Sequence, residues 1–137
     1  DVTDGNWTKG SGGNVDMFGE IDESSASDTD YIQSAPAPAS SPCVVRLSDV
    51  EDPVSSSGHI VRYRYQKEAS GGAVINLTVQ LRQGYVSEGT PGTLIASATH
   101  NDIPTGWTAG SFTLSGAEAD AITNYADLWL RFVATQA

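Results

Sequence analysis

The sequence predicts an all-β fold: an antiparallel β-sandwich, jelly-roll-like, of about eight strands with an extended N-terminal arm. Three observations predict it. Apolar and polar residues alternate with a period of two, most clearly in NLTVQLRQG at 76–84, where Leu77, Val79 and Leu81 alternate with Asn76, Thr78, Gln80 and Arg82. Turn-forming residues recur at intervals of roughly 8–15 residues, the spacing of sandwiches and jelly rolls. No helical pattern is long enough to carry a crossover, so a parallel α/β sheet is excluded.

The elements follow in order. Residues 1–16 (DVTDGNWTKGSGGNVD) hold one aromatic, Trp7, among Gly, Asp, Asn and Ser. They read as a flexible N-terminal arm pinned by that ring, ahead of a single sandwich domain over 17–137. MFGEID at 17–22 is a short strand candidate, ESSASDTD at 23–30 an acidic turn, and YIQSA at 31–35 a short extended piece. PAPASSP at 36–42 has three prolines in seven residues, so it reads as a connector that avoids a central strand.

CVVRLSD at 43–49 is the next strand, followed by the loop DPVSSSG at 52–58. HIVRYRYQK at 59–67 sets Val61, Tyr63 and Tyr65 on one face and Ile60, Arg62 and Arg64 on the other. EASGGA at 68–73 has hairpin chemistry, after which VINLTVQLR at 74–82 runs back. TLIASATH at 93–100 follows a Pro91-Gly92 turn, NDIPTG at 101–106 is a loop, and WTAGSFTLS at 107–115 is a strand. GAEADAITNYA at 116–126 is the one stretch of helical character, with Ala117, Ala121 and Ile122 on its apolar side. DLWLRFVAT at 127–135 closes the fold, Leu128, Leu130 and Phe132 inward and Trp129, Arg131 and Val133 outward. The expected core is Val45, Leu47, Val61, Tyr63, Ile75, Leu77, Val79, Leu81, Leu94, Phe112, Leu114, Leu128, Leu130 and Phe132.

At 137 residues the chain fits one domain with a core of reasonable size. No apolar run approaches the length of a membrane span, and no basic-then-apolar leader opens the sequence, so neither a span nor a signal peptide is expected. Seventeen acidic residues against seven basic ones give a net charge of −10. That balance argues against nucleic acid, whose phosphates need clustered Lys and Arg, and for neutral or locally basic partners. A lone Cys43 makes no intrachain disulfide, and the valines after it predict a buried thiol.

Chemistry-bearing motifs are scarce. His59 and His100 stand at strand ends beside loops and read as surface residues, without the ligand spacing of zinc. No G-x-S-x-G, P-loop or G-x-G-x-x-G occurs, and no cleft-forming carboxylate pair is evident, so catalysis and cofactors are not expected. Asp22, Glu23, Asp28 and Asp30 are the best candidates for calcium, although they lack EF-hand order. Two N-x-T matches, at Asn6 and Asn76, are discounted, the second because it lies within a strand. Trp7, Trp107, Trp129, Tyr31, Tyr85 and Tyr125 are too many to be all core. They suit either stacking on sugars or a protein interface.

The layout resembles a group of small β-sandwich proteins in the virions of tailed bacteriophages, the capsid decoration or cement proteins. The resemblance rests on the order of pieces: Gly5-Asn6-Trp7-Thr8, Ile21-Asp22-Glu23, Asp28-Thr29-Asp30-Tyr31-Ile32, Asp52-Pro53, His59 to Arg64, Leu77 to Gly84, and Asp127 to Ala134. It implies a non-catalytic virion protein on the capsid exterior, an expected homo-oligomer, held non-covalently on the major capsid protein or other virion proteins. Asn6 and Trp7 are then expected to anchor the arm, Asp28, Asp30 and Tyr31 to meet a basic partner surface, and Trp129 and Arg131 to lie at a subunit contact. The alternative is a carbohydrate-binding module with Trp7, Trp107 or Trp129 as platforms, assisted by calcium at 22–30.

Overall fold

The computed structural model describes residues 6–70 and 72–137, together with a short strand at Val2–Thr3. Among the described residues there are nine strands: β1 (Val2–Thr3), β2 (Thr8–Lys9), β3 (Ile32–Gln33), β4 (Ser41–Arg46), β5 (Ile60–Tyr65), β6 (Ile75–Gln83), β7 (Thr93–His100), β8 (Thr108–Thr113) and β9 (Leu128–Gln136). One short helix, α1 (Gly116–Asp120), precedes the last strand. The pairings are antiparallel throughout, and the fold is an all-β sandwich. Its main layer is a five-stranded sheet in the order β1-β4-β9-β6-β7.

Alternation becomes two chemically distinct faces because paired residues in adjacent strands point the same way. On the inner face, register aligns Ser41, Ala134, Leu77 and His100; Cys43, Phe132, Val79 and Ala98; and Val45, Leu130, Leu81 and Ala96. On the outer face it aligns Pro42, Val133, Thr78 and Thr99; Val44, Arg131, Gln80 and Ser97; and Arg46, Trp129, Arg82 and Leu94. The inner rows are the core. Val79 is fully buried, and Leu77, Leu81, Leu128 and Ala134 nearly so.

Three pieces cover the inner face. The β5–β8 ribbon contributes Val61, Tyr63, Tyr65 and Phe112, and Leu114 follows directly after β8. Tyr63 and Tyr65 lie across Gly110 of β8, where a Cβ would meet the Tyr63 ring at 2.5 Å. The helix adds Ala119, with Ile122 just beyond it. Its start is fixed by a capping box in which the Ser115 side chain accepts from the Glu118 amide and the Glu118 carboxylate accepts from Ser115. The N-terminal segment adds Trp7, Met17 and Ile32 over Cys43, Phe132 and Ala134.

The structure corrects several expectations. MFGEID forms no strand: Phe18–Glu20 is a single 3-10 turn that hangs on Met17, which is 1% exposed. Ser41 and Pro42 belong to β4, which lies between β1 and β9. On the β9 side Pro42 pairs with Val133. The hairpin expected from EASGGA does not join β5 to β6, because β5 pairs with β8 while β6 pairs with β7 and β9. Ala117 and Ala121 are exposed, and Ala119 with Ile122 is the buried side of the helix. Leu94 is 47% exposed instead of core, and Ile95 is buried in its place. The register shifts at this point: Leu81 pairs with Ala96 but Arg82 with Leu94, so Ile95 is the extra residue of a β-bulge. One inserted residue inverts the alternation, which puts Ile95 and Ala96 both inward.

Candidate functional site

The residues that carry chemistry are engaged within the chain. Cys43 is fully buried, and burial pushes its thiol up to about 11, far from thiolate reactivity. The two histidines, expected at the surface, are half-buried. His100 ends an inner row with its ring between two phenols, Nε2 at 2.7 Å from the Tyr63 hydroxyl and Nδ1 at 3.1 Å from that of Tyr65. Burial pushes the Tyr63 hydroxyl above its ordinary pKa. His59 meets the Tyr125 hydroxyl through Nε2 at 2.7 Å, while its Nδ1 is buried without a hydrogen-bond partner among the described residues.

The residues expected at an interface fall in three places. Trp7 is 6% exposed and lies in the chain's own core, its Nε1 donating to the Ser41 carbonyl at 3.1 Å. Asn6 beside it is exposed, with a positive φ of 56°. The two thus have opposite placements.

Asp28, Asp30 and Tyr31 lie on the acidic turn, which is tied to the ribbon. Arg64 donates from Nε and a terminal nitrogen to both Asp28 oxygens, at 2.7 and 2.8 Å. Tyr31 packs over Gly10 and meets Trp107 edge-on, ring centroids 5.5 Å apart. Asp30 is exposed. The carboxylate of Asp28 is therefore committed to an arginine of its own chain. Among the described residues no three His, Cys, Asp or Glu side chains converge on a metal-sized site, Asp22, Glu23, Asp28 and Asp30 included.

Trp129 and Arg131 lie on the outer face of the main sheet, where the loop after β6 folds back over them. Tyr85 is buried there, its ring centroid 5.5 Å from that of Trp129. Arg46 stands over the other ring system of the pair at 5.8 Å and donates to the Ala126 carbonyl. Arg131 donates to both Glu88 oxygens, at 2.8 and 2.5 Å, and to Gln80. These bonds hold the Glu88 carboxyl below its usual range, with Tyr85 donating to the same group. Arg82 donates to Gln80 and to the carbonyls of Pro91 and Gly92; burial and the neighbouring Arg131 pull its pKa down. Gly92 has a φ of 69°, and a Cβ there would run into the Gln83 carbonyl, so the loop needs glycine to close. The signal for this network was the alternation itself: polar residues set opposite one another on the outer rows. Its loop partners, Tyr85 and Glu88, carried no periodic cue.

Of the three tryptophans, Trp7 is buried and Trp129 is half-buried beneath Tyr85 and Arg46. Trp107 is half-buried against Tyr31.

A groove of about 570 Å³ opens where the 3-10 turn meets the end of β4. Phe18, Leu47, Val50 and Ala126 supply its apolar lining, and Asp49 and Arg46 its charges. Glu51 and Asp52, shortly after Asp49 in sequence, and Asp22 and Glu23, shortly after the turn, are exposed. No helix of the described residues is long and apolar enough to cross a membrane. Searches against protein-family models, curated proteins and solved structures return no match.

Proposed function

We propose that this chain is a structural virion protein that decorates and stabilises the outside of a tailed-phage capsid, a jelly-roll-like cement protein held by non-covalent contacts with capsid subunits. The observation that carries the reading is the largely apolar groove between the 3-10 turn and β4, with Asp49 and Arg46 in its lining. Its apolar lining of Phe18, Leu47 and Val50 suits a segment that buries aliphatic side chains, and Asp49 suits one that brings Lys or Arg. The tying up of Cys43, His59 and His100 in packing supports a body that works through contacts. A net charge of −10 also keeps such a protein off packaged DNA while favouring a locally basic protein surface.

The test is sedimentation of the purified chain with empty, undecorated tailed-phage shells. Saturable co-pelleting and a raised temperature of shell disruption are expected, both reduced by Val50→Asp. Shells that neither bind the chain nor gain stability, together with saturable glycan binding lost on Trp107→Ala, would establish the carbohydrate-binding reading instead.

A further inference from the structure

The main sheet ends at β7, and that end is open. β7 pairs with β6 on one side, and its other side has no strand neighbour among the described residues. No backbone hydrogen bond joins Thr93–His100 to any loop among the described residues. The opposite end of the sheet is shielded differently, by β1 along Val44 and Cys43 of β4. Natural sheets guard open edges with Lys, Pro, inward charges or bulges. β7 has one such device, the bulge at Ile95, and the five residues beyond it, Ala96 to His100, contain no Lys, Arg, Asp, Glu or Pro.

We propose that this edge pairs with the same edge of a second copy of the chain, antiparallel and centred on Ala98, to form a two-fold dimer with a continuous sheet. The centre follows from geometry. The regular part of the edge runs from the bulge to the end of the strand, 96 to 100, and Ala98 is its midpoint. Antiparallel pairing about that residue sets Ala98 opposite Ala98, Ser97 opposite Thr99, and Ala96 opposite His100. Each pair falls on one face, as register requires. The Ser97–Thr99 pair repeats a contact already present one strand inward, where the Thr78 and Thr99 hydroxyls lie 3.1 Å apart across β6 and β7. An edge that complements itself closes after two copies and does not grow into a fibre.

Charge distinguishes this occupant from a foreign one. Two bodies of −10 repel, and the uncharged run of β7 is where they approach with least opposition. Salt screens that repulsion, so the dimer strengthens as ionic strength rises. A basic partner on the same edge would be weakened by salt. The inference stands apart from the virion reading, because it concerns the free chain in solution.

Sedimentation equilibrium on the full chain, at about 50 and about 500 mM salt, tests it. A monomer–dimer equilibrium that tightens several-fold with salt is expected. Ala98→Lys sets two lysines directly opposite at the dyad and weakens the dimer by about fivefold, although it makes each copy less negative. Val15→Lys makes the same charge change on an exposed residue outside β7 and leaves the dimer unweakened. A chain that stays monomeric at millimolar concentration would overturn the proposal. So would a dimer loosened by salt, or one that Ala98→Lys and Val15→Lys affect alike. If Ala98→Lys does not fold, amide shifts of the unmodified chain decide: concentration-dependent changes centred on residues 96–100 support the pairing, and changes centred elsewhere refute it.

Discussion

β9 and β7 belong to one sheet and have opposite situations. β9 has β4 and β6 on its two sides, the core beneath Leu128, Leu130, Phe132 and Ala134, and the Tyr85–Glu88 loop over Trp129 and Arg131. β7 has β6 alone, and four of its eight residues, Thr93, Leu94, Ser97 and Thr99, are exposed. The strand with the more conspicuous aromatic and charged residues is the one that is closed off. The strand of small, neutral residues is the one left open. On this sheet the open backbone edge lies apart from the outer-face aromatic and charged residues.

Substitutions on the two strands test the contrast, and the largest effect belongs to β9. Phe132→Ala removes a ring packed against the buried clusters of Trp7, Met17 and Cys43 and of Leu77 and Val79, and costs about 3 kcal/mol or more, read as a lowered urea midpoint. A loss below about 1 kcal/mol would mean that the arm and ribbon do not seal the inner face. Next comes a pair on β7. Ile95→Ala costs about 2–4 kcal/mol, whereas Leu94→Ala next to it changes stability by about 0.5 kcal/mol or less. The reverse order would remove the bulge.

Arg131→Ala probes the outer face of β9 and costs about 1–2 kcal/mol at neutral pH, because it leaves the half-buried Glu88 carboxylate without its bidentate partner. The Arg131 bonds lower the folded-state pKa of Glu88. The stability they contribute is therefore fully present above the ordinary carboxylate pKa of about 4.3, and it is lost as pH falls through the lower folded value. The gap between the parent chain and Arg131→Ala should accordingly narrow on acidification, as followed by thermal melts across that range. A gap constant with pH would assign the loss to packing alone. The smallest effect is on the open edge: Ser97→Lys leaves the melting transition of the monomer within about 0.5 kcal/mol.

Alternation made the framework legible. β5, β6, β8 and β9 lie where their period of two placed them, because each turns one apolar face to the core. Cys43 is buried, as its valine neighbours imply. What alternation does not encode was not legible. Ile95 and Leu94 are exchanged by a bulge, a one-residue event with no composition of its own. Pro42 lies within β4, where its proline-rich surroundings read as a connector. Trp7, in a glycine-rich stretch that reads as an arm, is drawn into the core beside Met17 by contacts some 34 residues away in sequence. His59 and His100 looked like surface residues because their partners Tyr125, Tyr63 and Tyr65 come from other strands and loops. Asp28 was legible as an acidic turn residue, but its commitment to Arg64 depended on how that turn folds back on β5.

The contrast between a closed strand and an open one is tested most directly by amide hydrogen exchange in dilute solution, resolved residue by residue. The amides of β9 and β6 should be protected along their length. Those of β7 should alternate, with the amides bonded to β6 protected and the edge amides between Ala96 and His100 exchanging freely. Uniform protection of β7 at the lowest concentration, equal to that of β9, would contradict the open edge.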